Sequence, residues 1–144
     1  MATQIFVNLP VKDLNKSVDF FTKLGYSFNP QFTDEKATCM IISDTIYVML
    51  LVEPFFKSFI KKDVADATQV SEALICLSAD SREAVDDLVD KAIAAGATLP
   101  GDAIDQGFMY SRSYSDLDGH HWEVMYMDPA ALTQEQPATE NAAV

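Results

Sequence analysis

His121, Glu123 and Met125 stand at alternate positions in residues 116–129, D-L-D-G-H-H-W-E-V-M-Y-M-D-P. The acidic turn ends at Gly119 and opens into a strand pattern, so these three side chains share one face. A carboxylate there can act as a general base, a metal ligand or an anchor for a cation. It can also simply face water, because Trp122, Val124 and Tyr126 make a sufficient core set on the other face. His121 reads as a hydrogen-bonding cavity wall or a titrating group. His120 points the other way and reads as a surface residue beside the turn.

An internal repeat favours the cavity for Glu123. Asp13-Leu14-Asn15-Lys16-Ser17-Val18-Asp19 matches Asp80-Ser81-Arg82-Glu83-Ala84-Val85-Asp86 at one constant offset, aligning a helix N-cap Asp, a core Val and a following Asp. Each copy follows an extended apolar run, residues 5–11 or 73–78, and each helix stops at a glycine, Gly25 or Gly96. From cap to glycine the second copy is longer by four residues, about one helical turn, which leaves the buried face in phase. In that copy Val85, Leu88, Val89, Ala92 and Ile93 form the apolar stripe, with Asp86, Asp87 and Asp90 solvating the outer face.

Strand patterns follow both helices. The first copy continues through residues 26–28, 37–42 and 46–52, the second through 97–99, 108–114 and 122–127, so each half reads βαβββ. The expected organisation is one domain over residues 1–129, built from a module at 3–53 and a module at 72–128. Between them Phe55, Phe56, Phe59 and Ile60 lie at helical spacing, so the connection reads as a short helix followed by a linker or lid. Residues 130–144 hold Pro137 and no apolar period, and read as a flexible tail.

Composition narrows the function classes. The chain has 144 residues, nearly half of them apolar, and a net charge of −12. No apolar stretch approaches the ~20 residues that cross a bilayer, and the first residues lack a basic start or export signal, so the expectation is a cytoplasmic protein. Through Lys62 seven lysines meet six acidic residues, whereas from Asp63 onward three basic residues meet sixteen acidic ones. That field disfavours nucleic acid and anionic membranes as partners. Asp102, Asp105, Asp116 and Asp118 are placed to rim a cavity together with Glu123 and attract a cation. Cys39 and Cys76 sit in apolar strand patterns and read as reduced core thiols.

Two motifs now carry a resemblance. The opening Asn8-Leu9-Pro10-Val11-Lys12-Asp13-Leu14, with Phe20-Phe21 and Leu24-Gly25 after it, and the D-x-D-G-x-x-W-E close resemble those of the vicinal oxygen chelate superfamily, which includes glyoxalase I, extradiol dioxygenases, and fosfomycin and bleomycin resistance proteins. The likeness runs from about Thr3 to Pro129. It implies an α+β glyoxalase-like fold, two tandem βαβββ modules whose mixed sheets curl around a shared cavity.

The resemblance also implies four divalent-metal positions, two per module. Carried over, they fall on Phe6, on one of Val48, Met49 and Leu50, on Ala73 and on Glu123. Glu123 is the one family ligand retained; His121, with Asn8, could contribute to a displaced site. A lone carboxylate does not hold a divalent ion against water, so the expectation is no cofactor and no metal. By the same likeness Phe6, Asn8, Ala73, Ile75, Leu77, His121, Glu123 and Met125 line the cavity. Arg112 either turns inward to pair with Glu123 or a substrate anion, or points outward as a snorkelling surface group.

Two function classes follow. One is a binding protein that holds a small cationic or aromatic molecule in an apolar cavity, as the metal-free bleomycin resistance branch resembles. The other is an enzyme, either a metal-dependent lyase, isomerase or dioxygenase of the lactoylglutathione lyase kind, or a metal-free one with Glu123 as catalytic base. Exposed sheet edges and the Phe55-Phe56-Phe59 segment point to a homodimer.

Overall fold

A computed structural model describes residues 2–133. Its elements run β1 (Ile5–Val11), α1 (Leu14–Lys23), β2 (Ser27–Asn29), β3 (Ala37–Ile41), β4 (Ile46–Val52), α2 (Glu53–Lys57), β5 (Leu74–Ser78), α3 (Arg82–Ala94), β6 (Ile104–Asp105), β7 (Met109–Ser115), β8 (His121–Met127) and α4 (Pro129–Thr133). Two four-stranded sheets result, ordered β1-β4-β3-β2 and β5-β8-β7-β6. The first strand of each module runs parallel to the last, β1 to β4 and β5 to β8, and the remaining pairings are antiparallel. This is the α+β glyoxalase-like architecture of two tandem βαβββ modules. α4 covers the first residues of the expected tail, and residues 134–144 lie outside the described residues.

Local chemistry accounts for both helices. The Asp13 carboxylate accepts from Lys16 N at 3.1 Å, which caps α1. On α3 the cap is Ser81, whose hydroxyl accepts from Ala84 N at 3.0 Å, and not the Asp80 expected from the repeat. Matching cap to cap makes the offset between modules 68 residues, and from cap to glycine the second copy is longer by three residues rather than four. The slip has one cause: Ser and Asp both cap well, so composition alone could not choose between neighbours.

The second module departs from the first at its second strand. Residues 97–99 form only one antiparallel bridge, Thr98 with Ser115. Pro100, with no N–H to give a neighbour, follows at once, and the chain rejoins the sheet edge as β6.

One core serves both modules. Leu9, Val11, Phe20, Phe21, Val48 and Leu50 from the first pack with Val85, Val89, Tyr114, Trp122 and Val124 from the second. Phe21 meets Trp122 edge-on at 5.5 Å between ring centres, and Phe20 lies 6.2 Å from Tyr114. These aromatic contacts tie α1 to the second sheet, and burying each such ring stabilises by about 1.5–3 kcal/mol. The opposite face of each sheet is open only in part: on the first sheet Ala37, Cys39 and Leu51 are buried there, whereas the outer rows are accessible. Phe6 is 49% exposed and Leu74 64%, and β1 and β5 each end their sheet without a further strand.

Candidate functional site

Strand register builds the open face of the second sheet in rows. His121 lies between Leu74 and Ser115, Glu123 between Cys76 and Ser113, and Met125 between Ser78 and Ser111. The alternate residues Trp122 and Val124 are buried in the core, so the carboxylate of Glu123 is turned to the open side. His121 Nε2 lies 3.2 Å from Glu123 Oε2, forming a carboxylate–imidazole pair whose Glu123 side chain stays 33% exposed. Cys76 is exposed here and not a core thiol, in contrast to buried Cys39. Partial desolvation by its neighbours and the nearby charge of Glu123 push the Cys76 thiol up, which disfavours the thiolate.

The matching face of the first sheet is aromatic. Phe6 stacks on Tyr47 with ring centres 4.8 Å apart and planes 12° from parallel. Asn8, paired in register with Met49, donates its side-chain amide to the carbonyl of Phe6.

Register also corrects the carried-over positions. With caps matched, Phe6 corresponds to Leu74 and not to Ala73, which precedes β5 and is exposed. Phe6 pairs with Tyr47 as Leu74 pairs with His121, and Asn8 with Met49 as Cys76 with Glu123. The four equivalent positions are therefore Phe6, Met49, Leu74 and Glu123. A thioether, a phenyl ring and an isobutyl group beside one carboxylate do not fit a catalytic divalent metal. Among the described residues no group of three or more His, Cys, Asp or Glu converges to hold one.

Three other expected lining residues lie elsewhere. Ile75 pairs with Trp122, and Leu77 with Val124, so both face the shared core. The one-residue shift that moves Ala73 to Leu74 turns the whole strand over, since side chains alternate. Arg112 also lies on the helix side, 19% exposed, with Nη1 donating to Asp86 and Asp90 at 3.0 Å each. Tyr110 donates to the same Asp86 oxygen, and its hydroxyl, ahead of Arg112, holds that carboxyl below the usual range against the opposing effect of desolvation. Asp86 and Asp90 thus grip an arginine instead of merely solvating the helix.

The acidic rim disperses as well. Asp105 forms a two-point pair with Arg82 at 2.8 and 2.9 Å, which lowers its pKa to about 2. Asp116 and Asp118 are taken up in a hub that periodicity did not reveal. Asp116 accepts from Asp118 N, His120 N and Trp122 Nε1, while Asp118 accepts from Lys12 N and Ser17 Oγ of the first module. His120, expected at the surface, is 2% exposed. Its Nε2 lies 2.7 Å from the Pro10 carbonyl and its Nδ1 2.7 Å from Glu72 Oε2. A carbonyl and a carboxylate both accept, so both ring nitrogens carry protons and His120 is an imidazolium. Burial opposes that charge, but Asp116, the Pro10 carbonyl and Glu72 together raise the pKa above the ordinary value. Gly119, at φ +87°, permits the hub: a Cβ there would sit 2.7 Å from Thr68 N and 2.8 Å from the Ala67 carbonyl. The Asp-x-Asp-Gly-His spacing was the available signal, since an Asx-type turn invites such backbone donors.

A cavity of about 450 Å³ opens beside this hub, between β1 and the chain following α2, with Asn8, Pro10, Phe56, Ile60 and Glu72 among its walls. Glu123 is not among its lining residues.

Comparison with known proteins places these features. Residues 3–43 match the family model described as bleomycin resistance protein-like N-terminal. A hypothetical protein from S. aureus is 28% identical and superposes with a TM-score of 0.74 over 88% of this chain and 94% of that one. A glyoxalase/bleomycin resistance protein/dioxygenase family enzyme from Burkholderia phytofirmans PsJN shares the fold at 19% identity, with a TM-score of 0.72 over 88% and 99% of the two chains. So does a fosfomycin resistance protein from Mesorhizobium loti, at 12% identity, TM-score 0.66, over 93% and 99%. No curated protein matches the chain.

Proposed function

We propose that the chain, which resembles the vicinal oxygen chelate superfamily in its motifs and matches a bleomycin resistance protein-like model over residues 3–43, is a metal-free binding protein for a small cationic aromatic molecule. The observation that carries this reading is the half-exposed Glu123, whose one hydrogen-bond partner among the described residues is His121, at a position whose three equivalents are Phe6, Met49 and Leu74. A carboxylate that ligates no metal remains free to meet a ligand's positive charge. The stacked Phe6 and Tyr47 offer flat apolar surface of the kind that holds an aromatic ring or a cation.

Both half-clefts are open in one chain, and each is bounded by a free strand edge, β1 or β5. A symmetric dimer would set the aromatic face of one copy beside the Glu123 face of the other and close two equivalent cavities. In this reading the ligand binds at the junction. The His121–Glu123 pair also supports a second reading, metal-free proton abstraction with Glu123 as base and His121 orienting it.

The test combines elemental analysis with a thermal-shift screen. Protein expressed in metal-supplemented medium is expected to carry far less than one equivalent of Zn, Ni, Mn or Fe, and light scattering is expected to give a dimer mass. Glu123→Gln should weaken a cationic aromatic ligand by roughly 1–2 kcal/mol, the worth of a charge-assisted hydrogen bond discounted for solvent, and change a neutral aromatic far less. One equivalent of metal, lost on Glu123→Ala, would overturn the binding reading. Equal ligand shifts for both proteins would remove Glu123 from recognition.

A further inference from the structure

We propose that the cavity between β1 and the segment following α2 is a second binding site, selective for a small amphipathic monocarboxylate whose apolar tail lies against Leu9, Pro10, Phe56 and Ile60 and whose anionic head meets Lys61 and Lys62. The site goes beyond the cationic one: the two meet at Asn8, but Phe6, Tyr47, His121 and Glu123 do not line it.

Size and lining suit such a ligand. The cavity, about 450 Å³, adjoins a recess of about 370 Å³ that shares Asn8, Phe56 and Ile60 with it. Small-molecule sites typically run from about 300 to 1,000 Å³, mostly apolar with a few placed polar groups. The walls here follow that pattern.

Charge decides the sign of the head group. Two carboxylates touch the cavity, Asp63 and Glu72. Asp63 lies 3.8 Å from Lys57 Nζ, and Glu72 is bonded to the buried His120 imidazolium, so each already has a cation opposite it. Lys57 Nζ also donates to the carbonyls of Lys61 and Lys62, which fixes the backbone that presents them. Among the described residues neither Lys61 nor Lys62 enters an ion pair. Two uncommitted ammonium groups beside an apolar cavity, on a chain of net charge −12, are the complement of an anion with an apolar tail. Lysine stems also cover apolar surface while keeping the charge at the water boundary, where a carboxylate head would lie.

The experiment is calorimetric titration of the full chain with sodium octanoate and, separately, octylammonium chloride, with amide chemical-shift mapping of the octanoate complex. Octanoate is expected to bind and to shift Asn8, Phe56, Ile60 and Glu72. Octylammonium is expected to bind at least tenfold more weakly. Along hexanoate, octanoate and decanoate, affinity should rise roughly two- to fourfold per methylene. The double variant Lys61→Gln/Lys62→Gln, on exposed positions that leave the core untouched, should lose roughly tenfold in octanoate affinity. Raising salt should weaken octanoate binding to the wild type more than to this variant. Glu123→Gln should leave octanoate binding unchanged, which separates failure of this site from failure of the cationic one. Equal binding of the two amphiphiles, an unchanged double variant or shifts confined to the Glu123 face would each overturn the proposal. So would Ile60→Asp turning a dimer into a monomer while octanoate shifts nothing in the wild type, since the groove would then be covered by a second copy.

Discussion

His120 and His121 are neighbours in the chain, each within reach of a carboxylate, yet they belong to different regions with opposite logic. His120 is sealed in the hub with acceptors at both nitrogens, and everything near it is committed: Asp116 to three donors, Asp118 to the start of α1, Glu72 to the ring itself. His121 stands on the open face between Leu74 and Ser115 and, among the described residues, makes one side-chain bond, to Glu123, whose own row holds Cys76 and Ser113. A buried polar group left unmatched costs more than a matched one contributes, so complete matching marks a region selected for holding modules together. A half-exposed carboxylate with a single partner keeps acceptor capacity for a further donor. On the proposed reading, the hub governs stability and the open face recognition.

Variants on the two sides of this contrast should separate stability from binding. The largest effect is expected for Gly119→Ala, which combines a positive φ with a Cβ driven into the Ala67–Thr68 backbone. A loss of about 3 kcal/mol or more in chemical denaturation is expected, because the obstacle is main chain that cannot rotate aside. A change below about 1 kcal/mol would show that the linker is not held against the turn.

His120→Gln comes next, with an expected loss of about 1.5–3 kcal/mol at pH 6, where both charge-assisted bonds are in place. The pH dependence has a definite sign. The folded pKa lies above the ordinary 6.5, so the imidazolium's contribution is fully present below that value and is lost as pH rises through the folded pKa. Wild-type stability should therefore fall relative to His120→Gln as pH rises above about 6.5, and parallel curves for the two proteins would show that His120 is not protonated in the fold.

The smallest effect on stability is expected for Glu123→Gln, within about 0.5 kcal/mol, because the side chain is partly exposed and makes one bond. Its consequence should appear in ligand affinity instead. A large stability loss there would merge the two regions and remove the contrast.

Much of the fold was legible because its signals are local. The repeat of strand, cap, helix and glycine marked two modules, and alternation alone put His121, Glu123 and Met125 opposite Trp122 and Val124. Neighbouring residues carry such periodicities, so they survive without knowledge of the rest of the chain. The register of β5 did not survive. Asp80 and Ser81 are both good caps, and choosing the wrong one exchanged Ala73 and Ile75 for Leu74 and Cys76 on the open face.

Other features belonged to the tertiary structure alone. The partners of His120 are 110 and 48 residues away, those of Arg112 are 26 and 22 residues away, and the walls of the 450 Å³ cavity come from β1, the linker and Glu72. The residue types of the chain determined two βαβββ modules and a single retained carboxylate. Which charges hold the modules together, and which stay open to solvent, was decided by packing, because a charge's role depends on the partners that folding brings to it.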